Sequence, residues 1–273
     1  MAKIWLITGS SRGLGRALVE AVLESGNQVV ATARKPEQLQ DLVTQYGQDN
    51  VLAMALDVTN NFQVQQVVQS ALEKFGRLDI IVNNAGYADV ASIEDMSLET
   101  FRTQFETNFF GVVNVTKAVI PILRQQGHGH IIQVSSLGGR VGSPGLGSYQ
   151  SAKWAVGGFS TVLSREVGPL GIKVTVLEPG GMKTDWAGSS MGIGAVSEPY
   201  KQTVSAFQER REEMMATWAD PKRIVRSILH IAEVSEPPLR LLLGVDTIPY
   251  AQNAADELAS SDAKWREVTA LKV

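Results

Sequence analysis

The sequence predicts an α/β fold: a single doubly wound domain of about seven parallel strands with helices on both faces. Three observations carry this. Short runs rich in Val, Ile and Leu alternate with longer segments whose apolar residues recur at three- and four-residue spacing. Most of the short runs are apolar almost throughout, as parallel strands covered on both faces are. No internal repeat, low-complexity tract or linker divides the 273 residues, a length that parallel α/β sheets reach as one domain.

In chain order, the strands fall at Lys3–Thr8, Gln28–Ala33, Val51–Leu56, Leu78–Asn83, His130–Val134, Lys173–Leu177 and Leu239–Leu243. The first helix is marked by Ala17, Leu18, Ala21 and Val22, and the third by Val64, Val67, Val68, Ala71 and Leu72. Pro36 opens the second, since proline at the first helical position forfeits no needed N–H. Gly26 and Gly76 follow helices where a left-handed cap is wanted. A segment from Ser148 to Val167 reads as a later helix. One stretch, residues 185–220, breaks the rhythm: it begins Gly- and Ser-rich, then turns helical and charged. Long insertions in compact domains are usually functional or mobile, so this one is read as a substrate lid. Residues 254–273 read as a charged helical extension. The domain reading is therefore one unit, 1–273.

Composition narrows the function. A formal net charge of −3 argues against nucleic acid or an anionic membrane as partner, since both call for a basic footprint. With no cysteine, disulfides, thiolate zinc sites and a cysteine nucleophile are excluded. His128 and His130 flank Gly129 in a loop and His230 lies far off in a helix, so no metal set forms. No leader or membrane-length apolar run is visible, and the expectation is a cytoplasmic protein.

Thr8-Gly9-Ser10-Ser11-Arg12-Gly13-Leu14-Gly15 follows the first strand and opens the first helix. At such a junction glycines permit a tight turn and close approach of backbone to a pyrophosphate, and the helix N-terminus contributes free N–H groups. This marks a dinucleotide site of Rossmann type, with Gly9, Ser11, Arg12, Gly13, Leu14 and Gly15 as candidates. The spacing is GxxxGxG. At the end of the second strand, NAD sites usually place a carboxylate against the ribose 2′-hydroxyl. Here the stretch reads Ala31-Thr32-Ala33-Arg34-Lys35, without an acid. Arg34 and Lys35, with Arg12 opposite, suit a 2′-phosphate. The expected cofactor is NADP(H).

Tyr149 and Lys153 stand four apart, which on a helix puts both on one face. A free tyrosine has a pKa of ~10, too high for efficient acid–base work, and a neighbouring ammonium together with the positive charge of an oxidised nicotinamide would lower it. Ser136 ends the fifth strand, placed to donate to the same substrate oxygen.

Together these motifs resemble the short-chain dehydrogenase/reductase family over nearly the whole chain, and bacterial NADP(H)-dependent carbonyl reductases within it. The series is the glycine loop, Asp57-Val58, Asn83-Asn84-Ala85-Gly86, Asn108, Ser136, Tyr149 and Lys153, then Pro179-Gly180 and Thr184, in the family's order and spacing. The resemblance implies that Asp57 and Val58 contact the adenine. Asn83, Ala85 and Gly86 would support the sheet and line the adenosine ribose, with Asn84 among the cofactor-binding residues. Lys153 would hold the nicotinamide ribose, and Asn108 a water that links Lys153 to solvent. Pro179, Gly180 and Thr184 would border the nicotinamide amide and pyrophosphate. The family spacing selects Ser136 over Ser135. Asn108, Ser136, Tyr149 and Lys153 are then the catalytic set.

The implied reaction is hydride transfer between NADP(H) and a carbonyl or alcohol, in the direction of reducing a hydrophobic ketone or aldehyde. Leu137, Trp186 and Met191 are the candidate substrate contacts. Family members commonly assemble as homodimers or homotetramers through the helices carrying Asn108 and Tyr149. Two rivals remain: a catalytically idle NADP(H)-binding sensor, and another reaction on the same residues, such as enone reduction or epimerisation, because fold does not fix chemistry.

Overall fold

The computed structural model describes residues 2–183, 191–215 and 218–271. All seven expected strands form, and they make one parallel sheet. They are β1 (Ile4–Ile7), β2 (Gln28–Ala33), β3 (Val51–Ala55), β4 (Ile80–Asn83), β6 (Gly129–Val134), β7 (Ile172–Pro179) and β9 (Arg240–Leu243). Their order is β3-β2-β1-β4-β6-β7-β9. The chain winds outward in one direction from β1 to β3, then crosses back to β4 and continues the other way. Loops diverge where that reversal occurs, between β1 and β4, and leave a crevice at the strands' carboxyl ends.

Alternation along β1 shows how the sheet is covered. Trp5 and Ile7 pack on one side with Leu14, Leu18 and Val22 of α1 (Gly13–Glu24) and Ile224 and Ile228 of α8 (Pro221–Glu233). Ile4 and Leu6 pack on the other with Val64, Val67 and Val68 of α3 (Asn61–Phe75) and Val115 and Val119 of α5 (Gly111–Gln126). Leu163 and Val167 of α6 (Gly147–Val167) complete that second layer. Burying a side chain of this size is worth about 1.5–3 kcal/mol, so strands apolar on both faces are held from both faces. Gly26 and Gly76 have φ of +79° and +78°, the left-handed geometry expected of them.

Two elements lie outside the expected pattern. β5 (Ala88–Val90) and β8 (Met191–Ile193) pair in parallel as a separate two-stranded sheet. β8 falls in the segment read as a lid. Further on, the described part of that segment holds a turn at Glu198–Tyr200, a wide turn at Lys201–Ser205, and α7 (Ala206–Met214). Val204 packs there with Val90, Leu146, Tyr149 and Met191. At the C-terminus α9 (Thr247–Lys264) begins seven residues before the expected extension, buries only Thr247 and Ala251, and is followed by α10 (Arg266–Thr269). Among the described residues no helix is long and apolar enough to cross a membrane.

Candidate active site

The crevice at the reversal point is a cleft of about 1060 Å³. Its walls include Gly9, Ser11, Arg12, Gly13, Leu14, Arg34, Asp57, Val58, Asn84, Ala85, Gly86, Ser136, Tyr149, Lys153, Pro179 and Gly180. Residues spread over most of the sequence thus converge on one site.

At one end lies the glycine loop. Thr8 directly follows β1 and its hydroxyl accepts the N–H groups of Asn84 and Ala85, each at 3.0 Å. The Asn84 amide donates to the carbonyls of Thr8 at 2.9 Å and Gly9 at 3.1 Å. The loop after β1 is therefore tied to the loop after β4. Gly9 is at φ +69° and touches the opposite loop so closely that a Cβ would come within 2.9 Å of Ala85 Cα. Gly15 does not face the cleft; it is buried beneath, where a Cβ would strike the Gly9 carbonyl. Its smallness lets α1 approach the loop. Arg12 caps α1 in extended conformation without a side-chain cap, and the first turn carries no acid. The helix N–H groups and their partial positive charge stay available to an anion. This cradle fits a dinucleotide pyrophosphate.

Arg34 and Lys35 line the rim beside Gln38, both exposed, with no acid among the lining residues from the end of β2. Asp57 lines the cleft further in; one of its oxygens accepts from the Thr59 N–H at 3.0 Å and hydroxyl at 2.8 Å.

At the other end, α6 presents Tyr149 and Lys153 on its inward face, 6% and 4% exposed. Lys153 Nζ donates to the Val134 carbonyl at 2.8 Å and sits 5.7 Å from the Tyr149 ring centre. Ser136 leaves β6 in extended conformation; its hydroxyl accepts from the Gly138 N–H at 3.0 Å, and the residue lines the same end of the cleft as Tyr149. Burial pushes the Tyr149 phenol up to about 12, against a smaller downward pull from the Ser136 hydroxyl. The lowering the sequence suggests belongs to the site with Lys153 and an oxidised nicotinamide both beside the phenol. Burial likewise drives the Lys153 ammonium down to about 8. Ser135, its neighbour, bonds the Lys153 carbonyl at 3.3 Å and braces the helix.

Asn108 lies fully buried behind the cleft wall, in a five-residue wide turn, Glu106–Phe110, between α4 (Leu98–Phe105) and α5. Such π-type turns often mark functional sites. The sequence expects a water beside Asn108. The protein partner the structure shows is the Tyr87 backbone, whose N–H the side chain accepts at 3.0 Å and whose carbonyl it reaches at 2.8 Å. Gly86 is needed for this approach: a Cβ there would lie 2.6 Å from Asn108 Oδ1.

The expected substrate contacts divide. Leu137 does not line the cleft, because the turn that follows Ser136 directs it elsewhere. Met191 is buried against Tyr149 in the apolar cluster and pairs with Ala88; its neighbour Gly192 lines the cleft instead. Thr184 and Trp186 lie outside the described residues. The residues after Gly86 are expected to bound the pocket, and Tyr87 and Asp89 line the cleft; Thr107 and Met182 line it unexpectedly. For Tyr87 and Asp89 the signal was adjacency to Gly86; Thr107 carries none.

Comparison with known proteins agrees with this geometry. A sequence model of the short chain dehydrogenase family matches residues 3–191. The chain is 59% identical over 270 residues to Oxidoreductase BOA17 of Botryotinia fuckeliana, covering 98% of each. It is 34% identical over 244 residues to 3-ketodihydrosphingosine reductase of Bacteroides thetaiotaomicron, covering 89% of this chain and 88% of that one. A solved short-chain dehydrogenase from Streptomyces avermitilis superposes with a TM-score of 0.91 at 33% identity, over 98% of this chain and 97% of the other. The protein belongs to the short-chain dehydrogenase/reductase family. Members are oxidoreductases that transfer hydride with a nicotinamide cofactor.

Proposed function

We propose that this protein reduces an apolar ketone or aldehyde with NADPH in the cytoplasm, and that Tyr149 delivers the proton to the forming alkoxide. The observation that carries the reading is that Ser136, Tyr149 and Lys153 come together, Lys153 Nζ 5.7 Å from the Tyr149 ring centre, at the far end of a cleft that begins in a glycine cradle. The 2′-phosphate would be held by Arg34, Lys35 and Arg12, the pyrophosphate by the loop from Gly9 to Leu14 over Gly15. Asp57 and Val58 would border the adenine. Asn84, Ala85, Gly86, Pro179 and Gly180 would line the path to the nicotinamide ribose, which Lys153 would hold. When bound, the cofactor supplies the hydride that adds to the carbonyl carbon.

Ser136 donates a hydrogen bond to the carbonyl oxygen and so polarises it. Tyr149 gives that oxygen its proton as negative charge develops, leaving a phenolate. A phenol held near 12 stays protonated at neutral pH, the form that reduction requires. Lys153, held near 8, titrates close to the working pH and returns a proton to the phenolate. Asn108, through Tyr87, keeps the wall beside Gly86 in place. The name of the Bacteroides relative, that of a keto reductase, supports a carbonyl substrate. Exposed Phe110 and Trp154, beside Asn108 and on α6, support a homodimer or homotetramer through those helices.

The test is a panel of ketones, aldehydes and enones offered with NADPH and with NADH. Oxidation of NADPH by at least one apolar saturated ketone or aldehyde is expected. Tight cofactor binding without turnover of any carbonyl would instead identify a sensor, and turnover of enones alone a double-bond reductase.

A further inference from the structure

Glu178, near the end of β7, is fully buried and has two arginines on it. Arg140 presents Nε and Nη2 to Oε2, both at 2.6 Å. Arg240 presents Nε at 2.8 Å and Nη2 at 2.7 Å to Oε1. A buried carboxylate must be paired, but a single guanidinium would neutralise it. The second makes the cluster a cross-link among three elements: β7, the turn after Ser136, and the edge strand β9.

That turn is confined on its other side by α6. The Gly139 N–H bonds the Ser136 carbonyl at 2.8 Å and the Gly138 N–H bonds the Ser136 hydroxyl. A Cβ on Gly139 would lie 2.8 Å from Ser135 Oγ and 3.1 Å from the Lys153 carbonyl. Arg240 Nη2 donates to the Gly139 carbonyl at 3.2 Å, and it would lie 2.9 Å from a Cβ on Gly157, one turn beyond Lys153. The same guanidinium therefore touches the Ser136 turn, the helix of Tyr149 and Lys153, and the buried glutamate.

We infer that the Glu178–Arg140–Arg240 triad is a positioning device that clamps the Ser136 turn against α6 and so aims the Ser136 hydroxyl at Tyr149. This rests on the proposed pairing of Ser136 with Tyr149. None of the three side chains meets substrate; they act through Ser136. Misplacement of a polarising group by about 1 Å costs roughly a hundredfold in rate, so loosening the clamp is a kinetic event before it is a folding one.

Two variants test it. Arg140→Lys keeps the charge and gives up the two-pronged fork; Glu178→Gln keeps the shape and gives up the charge. Each is measured for kcat and KM with the best carbonyl of the panel, and for cofactor Kd. Tyr149 is titrated by near-ultraviolet difference absorbance with oxidised cofactor bound, the Tyr149→Phe variant serving as blank. We expect kcat to fall by about tenfold or more, cofactor Kd to hold, and the Tyr149 midpoint to rise as it does in Ser136→Ala. If Glu178→Gln does not fold, Arg140→Lys decides, its side chain being partly exposed. An effect of Ser136→Ala on kcat and midpoint without one of Arg140→Lys overturns the clamp alone. A Ser136→Ala variant that moves neither overturns the site reading, and the clamp with it.

Discussion

Removing Arg34 is the sharpest way to ask which dinucleotide this cleft takes. Arg34 leaves β2 at the cleft rim, flanked by Lys35 and faced by Arg12 across the glycine loop. Nearby Arg16 is already occupied, by Glu20 and Asp41, and takes no part in the lining. A hydrogen bond to a charged group is worth about 1.5–3 kcal/mol. Because Arg34 is exposed and its field is screened by salt, the lower part of that range applies, about 1.5–2 kcal/mol, or roughly 10- to 30-fold in affinity. Arg34→Ala should weaken NADPH by that factor and NADH by less than about twofold, since only NADPH has the phosphate to lose. Quenching of protein fluorescence by each dinucleotide measures both constants directly. Raising the salt concentration should narrow the difference between variant and parent. Equal losses for the two cofactors, or a parent protein that prefers NADH, would refute the reasoning.

Gly15→Ala places a methyl group against the Gly9 carbonyl and within 2.5 Å of the Asn84 amide. Overpacking of this kind costs about 1–3 kcal/mol. Cofactor Kd should rise at least about tenfold, while Gly142→Ala, which meets nothing within 4 Å, leaves it unchanged; calorimetric titration checks both. His130 governs an acid response far from the cleft. It is buried with Nε2 on Thr175 at 2.9 Å, and burial, then the charges of Lys173 and Lys3, holds it down at about 4. Its folded pKa lies below the unfolded value of ~6.5, so the unfolded chain binds the proton first. The stability this represents is present above pH ~6.5 and is lost as pH falls toward 4, about 3 kcal/mol in all. Urea midpoints measured from pH 7 to pH 4 should fall less steeply in His130→Gln; parallel curves would contradict the assignment.

The sequence carried the sheet almost entirely, because β1, β2, β4, β6 and β7 are apolar on both faces and each lies between helices of clear period. β5 and β8 escaped notice since three residues are too few to show alternation, and they exist only because the chain brings Ala88 beside Met191. In the site, glycines at a strand–helix junction and a tyrosine four residues before a lysine report geometry through spacing alone. What spacing cannot report is solvation. Burial raises the Tyr149 phenol and lowers the Lys153 ammonium, and a four-residue spacing shows neither. Nor can it report partners distant in sequence: Asn108 on the Tyr87 backbone, or Glu178 between Arg140 and Arg240. Each of these depends on which elements the finished sheet makes neighbours.

The central claim is that Tyr149 protonates the substrate oxygen. Tyr149→Phe keeps the ring that packs with Leu146 and Met191 and deletes only the hydroxyl. General acid catalysis contributes about 10²–10⁴ in rate, so single-turnover reduction of the best carbonyl by NADPH should slow at least about a hundredfold while NADPH Kd stays within about twofold. A variant that binds NADPH normally and still reduces that carbonyl at more than about a tenth of the parent rate would contradict the claim.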